Sequence, residues 1–90
     1  MSDERAFLTR LQEQPNDDAA RMVYADWLEE RDTPETTVKA EYLRTDMELA
    51  ALPADDPTRP TVEEQLRLLA LGVPVEWRRV VTSRVPSGTG

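Results

Sequence analysis

Ninety residues support one small domain with one core, and they are too few for a large substrate cleft closed by lids. The chain has neither cysteine nor histidine, which removes disulfides, thiolate nucleophiles, cysteine-type zinc sites and the commonest general base near neutral pH. Its net charge of −7 is concentrated in residues 1–56, with 15 acids against 6 bases, while residues 57–90 hold 3 acids against 5 bases; the acidic part repels phosphate backbones, so nucleic acid is not an expected partner.

Helix signals run the length of the chain. Ser2 can cap a first helix, with Asp3 and Glu4 in the first turn where the macrodipole favours acids. Phe7, Leu8 and Leu11 form its apolar stripe, and Pro15 ends it. Asn16 or Asp17 caps a second helix in which Ala20, Val23, Tyr24, Trp27 and Leu28 recur at helical spacing, with Met22 and Ala25 widening the stripe. Thr33-Pro34-Glu35 restarts the chain as cap, first helical residue and first-turn acid. The third helix is predicted to reach about Leu52, with Val38, Tyr42, Leu49 and Leu52 inward and Leu43, Met47 and Ala50 beside them.

Pro53 to Pro60 reads as the longest loop and the most mobile part of the domain. Thr61-Val62-Glu63-Glu64 then has the pattern of a capping box. Val62, Leu66 and Leu69 face inward in the fourth helix, with Leu71 as a further candidate. Gly72 and Pro74 stop it. A short last helix, about Pro74 to Thr82, directs Trp77, Val80 and Val81 inward and Arg78 and Arg79 outward. The expected fold is all-α, a compact bundle of four to five helices with short connections, spanning residues 1–82 as a single domain. Residues 83–90 are expected to be a disordered tail or linker.

The segment from Asp17 to Arg31, centred on Tyr24-Ala25-Asp26-Trp27-Leu28-Glu29-Glu30, resembles the bacterial repeat-companion domain, a short module found in large multi-domain proteins, often N-terminal and beside leucine-rich or similar repeats. The resemblance extends over roughly residues 4–80, through Arg5-Ala6-Phe7-Leu8, Gln14-Pro15-Asn16, Ala40-Glu41-Tyr42-Leu43-Arg44, the leucine-bearing fourth helix and Glu76-Trp77. Arg31-Asp32-Thr33 stands where the family usually has Gly-Asp, and Ala40-Glu41-Tyr42 where it often has Gly-Glu-Phe. The resemblance implies an associating module and carries over no catalytic residue.

Arg21, Asp26, Glu41 and Arg44 are expected to form a polar cluster between the second and third helices, whose loss exceeds the ~0.5 kcal/mol of an ordinary surface change. Asp26 with Glu30 or Glu41 is the sharpest catalytic pairing, because glycosidases work with two carboxylates. Asp26 and Glu30 are an i, i+4 pair on one helix, however, and no glycine-rich phosphate loop or metal cage accompanies them. Asn16-Asp17-Asp18 and Asp55-Asp56 lack the spacing of a calcium loop. No enzyme activity, metal or cofactor is therefore expected.

The expected function is protein–protein interaction, as an adaptor within a larger bacterial protein or assembly. Its partner would be another protein or a neighbouring domain, and a weak homodimer through the leucines of the fourth helix is a further candidate. Asp26, Trp27, Glu30, Arg78 and Arg79 are candidate partner contacts, on the acidic first half or beside helix four. The alternative is a small DNA-associated regulator that reads residues 62–82 as a helix-turn-helix, with Arg78, Arg79 and Arg84 as the basic cluster. The acidic start does not read as a secretory leader, and no run approaches the roughly 18–20 apolar residues of a membrane span; a cytoplasmic location is expected.

Overall fold

The computed structural model describes residues 3–82. The Ser2 cap, Arg84 and the 83–90 tail lie outside the described residues. Among those described the fold is all-α, with five helices and no strand: α1 (Asp3–Glu13), α2 (Asp18–Arg31), α3 (Pro34–Ala51), α4 (Arg59–Ala70) and α5 (Val75–Val81). None of these helices is long and apolar enough to cross a membrane.

Local chemistry accounts for the starts of α2 and α3. Asp17 caps α2, its carboxylate accepting the Ala20 N–H at 3.0 Å and the Arg10 Nε–H at 2.9 Å; it satisfies one of the N–H groups that the helix start leaves without a partner. Thr33 caps α3 through reciprocal bonds with Thr36, and Pro34 occupies the first turn, where a missing N–H is harmless. Asp32, between the two helices, has φ 52°. This is the left-handed region that glycine enters freely and that Asp tolerates better than most residues.

The start of α4 differs from the sequence expectation. The helix begins at Arg59 with Thr58, not Thr61, at its cap position, so Thr61 and Glu64 are inside it and form no capping box. Pro60 belongs to the first turn rather than to the loop, again because a first-turn proline forfeits no helical bond. The preceding turn is tied by Asp56, whose carboxylate accepts from both the N–H and the hydroxyl of Thr58. Arg59 reaches back and donates to the carbonyls of Leu49 and Leu52 at 3.3 and 3.1 Å. The Leu49 carbonyl also accepts the Leu52 N–H that closes the end of α3.

Packing places α3 between α2 and α4, with α1 against α2 and α5. The core joins Leu11, Tyr24, Leu28, Ala40, Leu43, Trp77 and Val81, all buried. Gly72 serves a close approach: a Cβ there would lie 3.3 Å from Val38 Cγ1. Two expectations for α2 are corrected. Val23 and Met22 are not in the core but exposed at 57% and 55%, whereas Arg21 is fully buried. Ala20, Met22, Val23, Tyr24, Ala25, Trp27 and Leu28 occupy so much of the helix that apolar spacing fits more than one phase. Tertiary contacts select the phase that buries Tyr24, Ala25 and Leu28. In α4, Val62 is buried and Leu66 and Leu69 are half-buried, while Leu71 is 84% exposed.

Candidate functional site

The expected polar cluster divides in two. Arg44 reaches across from α3 and donates through Nη2 to Asp26 Oδ1 at 2.6 Å and to Glu29 Oε1 at 2.8 Å. Those two bonds and the surrounding carboxylate charge hold the guanidinium proton more tightly than usual. Arg21 is not part of this group. Its Nε–H donates to the Val81 carbonyl at 2.7 Å, and its Nη1–H to Asp18 at 3.2 Å. Glu41, exposed on α3, is not among the carboxylates that Arg44 bridges. The division has a simple geometric cause: Arg21 follows the buried face of α2 toward α5, whereas Asp26 and Glu29 stand on the face turned to solvent.

Asp26 is 67% exposed at its side chain. An exposed bridge of this kind contributes little, because water screens it and two flexible side chains must be ordered. Asp26→Ala is therefore expected to lower the unfolding free energy by less than about 0.5 kcal/mol in urea denaturation.

A second polar network runs through the core and reaches the surface. The Trp77 indole N–H of α5 donates to the Tyr24 hydroxyl at 2.8 Å. That hydroxyl donates to Glu4 Oε2 at 2.6 Å, and Lys39 Nζ donates to the same oxygen at 3.1 Å. One residue from each of α1, α2, α3 and α5 is joined in this way. Phe7 stacks on Tyr24 with centroids 4.9 Å apart, and Tyr42 meets Trp77 edge-on at 5.8 Å. Burial, reinforced by the bond to Glu4, pushes the Tyr24 phenol far above its ordinary value. Burial alone would raise Glu4, but the bonds from Tyr24 and Lys39 and the Lys39 charge outweigh it and hold the carboxyl below 4.5.

A carboxylate with a depressed folded pKa stabilises the fold above its unfolded value and loses that contribution as pH falls through the folded one. Glu4→Gln should thus destabilise by about 1 kcal/mol at pH 7. The difference from wild type should shrink toward zero as pH falls below 4.5, as measured by denaturation across pH.

Two surface features stand beside these networks. The first is a polar recess of about 480 Å³ between the start of α1, the end of α2 and the start of α3, lined by Glu4, Trp27, Arg31, Thr33 and Lys39. Trp27 is half-buried here, and the Arg31 guanidinium lies over its ring, 4.2 Å from the centroid. The second is a shallow apolar groove of about 530 Å³ between α1 and α2, lined by Ala6, Phe7, Ala19, Ala20 and Val23 and edged by the Arg10–Asp17 ion pair. Sequence reasoning missed this groove because it placed Val23 in the core.

The other candidate contacts are spread over different elements. Asp26 and Glu30 are exposed on α2. Arg79 is exposed and Arg78 half-buried on α5, a helix of seven residues whose Trp77 and Val81 are buried. Among the described residues, no group of three or more acidic side chains is placed to hold a metal ion.

No protein-family model matches this chain, and neither a curated protein nor a solved structure does so.

Proposed function

We propose that the chain is a non-catalytic protein-interaction module, acting in the cytoplasm as part of a larger bacterial protein or assembly, of the repeat-companion kind. Its docking face is the α1–α2 surface. The observation that carries this reading is the exposure of Met22 and Val23, by more than half each, beside a groove floored by Phe7 and Ala20. An apolar surface rimmed by polar side chains is what protein partners cover. Acids flank it on the same helix face: Asp18 and Asp26 stand one turn to either side of Met22, and Glu30 follows. Asp18 and Asp26 are paired with Arg21 and Arg44, which gives this face a polar rim of both signs.

Of the carboxylates weighed as a catalytic pair, Asp26 is held by Arg44, while Glu30 and Glu41 stand exposed on different helices. Arg44 bridges Asp26 and Glu29, and Tyr24 and Lys39 hold Glu4. With no histidine or cysteine to accept or carry a proton, the surface is suited to binding.

A photo-crosslinking amino acid placed at Val23 tests the proposal in cells that express the chain natively, with a control at the exposed Glu48 of α3. A discrete protein adduct at position 23 and none at 48 is expected. Excess untagged wild-type chain should compete the adduct away, and a Met22→Asp chain should not. No adduct at 23, or one that neither chain competes, overturns the reading.

A further inference from the structure

Oxidation has few places to act on this chain, which contains no cysteine and three methionines. Met1 lies outside the described residues. Met47 is half-buried on α3. Met22 is 55% exposed in the middle of α2. A thioether is oxidised to the extent that its sulfur meets the oxidant, so Met22 is the more open of the two described methionines to a dissolved peroxide.

Its position gives that exposure a consequence. Ala19 lines the α1–α2 groove, and Met22 and Val23 both stand one turn beyond it on the outer surface of α2. A thioether there is apolar and adaptable, which suits it to contact with a partner. Its sulfoxide is polar. A partner that covers the surface would strip the new oxygen of water and return no hydrogen bond. The fold is indifferent to the change, because the buried face of α2 consists of Arg21, Tyr24, Ala25 and Leu28.

We infer that Met22 is a site of reversible oxidation by peroxide, and that its sulfoxide disables the docking face without unfolding the domain. The inference rests on the reading of the α1–α2 surface as a docking face and adds its regulation. In the forward step the Met22 sulfur attacks one oxygen of hydrogen peroxide. An S–O bond forms, the O–O bond breaks, and the second oxygen leaves as water with both protons. Sulfur gives up two electrons and the peroxide takes them. The return step needs a dithiol, which a chain without cysteine does not possess. A separate methionine sulfoxide reductase supplies it: the dithiol becomes a disulfide, the thioether is restored, and the oxygen leaves as water.

Purified full chain treated with hydrogen peroxide tests the inference. Arg31 and Lys39 lie between Met22 and Met47, so trypsin separates the two methionines and mass spectrometry follows each sulfoxide. Met22 should oxidise severalfold faster than Met47. The oxidised chain should keep the wild-type helical circular dichroism. With the photo-crosslinking amino acid at Val23 it should lose its protein adduct in a native lysate, and the reductase with a dithiol should restore that adduct. Met22→Leu, apolar and without sulfur, should give the adduct equally before and after peroxide.

Oxidation of Met22 no faster than that of Met47 overturns the inference. So does a loss of helicity, an adduct that survives oxidation of Met22, or a Met22→Leu chain that loses its adduct to peroxide. In each of those cases an adduct from the untreated chain leaves the docking face standing. No adduct from the untreated chain removes the docking face and the switch together.

Discussion

Arg21→Ala is expected to lower the unfolding free energy by about 2–4 kcal/mol, the largest single loss among the polar residues of this chain. The guanidinium is fully buried and its Nε–H donates to the Val81 carbonyl, at the end of α5. The last carbonyls of a helix have no helical partners, and a cation there also answers the helix dipole. α5 has only seven residues and cannot persist by its own propensity. Its attachments are Trp77 and Val81 in the core and this bond to Arg21. The substitution removes a charge-assisted hydrogen bond and the packing of a long aliphatic stem at once.

Arg21→Met separates the two contributions. It retains most of the stem and should lose only about 1–2 kcal/mol, the part that belongs to the carbonyl left without its donor. Urea denaturation followed by tryptophan fluorescence provides the measurement, because Trp77 reports the release of α5. An Arg21→Ala loss below about 0.5 kcal/mol, typical of a surface position, would contradict the burial of this residue.

Tyr24→Phe is the second large effect, expected at about 1–3 kcal/mol. The change retains the ring that stacks on Phe7 and removes one oxygen. Without it the Trp77 indole N–H is buried with no acceptor, and Glu4 loses its shortest donor. An unmet buried donor costs more than the bond itself contributes, since it has surrendered water without compensation. A double-mutant cycle with Trp77→Phe isolates the pair and should give a coupling of about 0.5–2 kcal/mol, because the second removal abolishes the donor that the first one orphaned. Additive losses would mean that the two side chains do not share a bond.

How much of this was legible in the sequence follows from the range of each interaction. The starts of α2 and α3 could be read because Asp17, Thr33 and Pro34 act within one turn of themselves. The start of α4 was misplaced by three residues, with Thr58 and not Thr61 at the cap position, since Pro60 fits equally well in a loop or in a first turn and only backbone geometry separates the two. The phase of α2 was read partly wrong. Tyr24 and Leu28 were assigned to the core correctly, but Val23 was assigned with them and Arg21 to the edge. Helical spacing alone does not reveal a buried arginine, because its acceptor, the Val81 carbonyl, lies sixty residues away in the chain.

The Glu4–Tyr24–Trp77 network was invisible for the same reason: it joins residues from three separate helices. The inward face of α4 was read correctly in part. Val62, Leu66 and Leu69 were assigned inward and are buried or half-buried, but Leu71, a further inward candidate, is exposed. The long stretch read as a loop proved shorter, because Arg59 and Pro60 belong to α4.

The proposed docking face depends on Met22 and Val23 belonging to the surface and not to the core. Urea denaturation of the double variant Met22→Gln, Val23→Gln tests that most directly. Glutamine is a good helix former, so neither change carries a propensity penalty. The account predicts an unfolding free energy within about 0.5 kcal/mol of wild type, together with loss of partner binding. A loss of 2 kcal/mol or more, at about the level of emptying a core position, would place these side chains inside the fold and remove the face on which the proposed function rests.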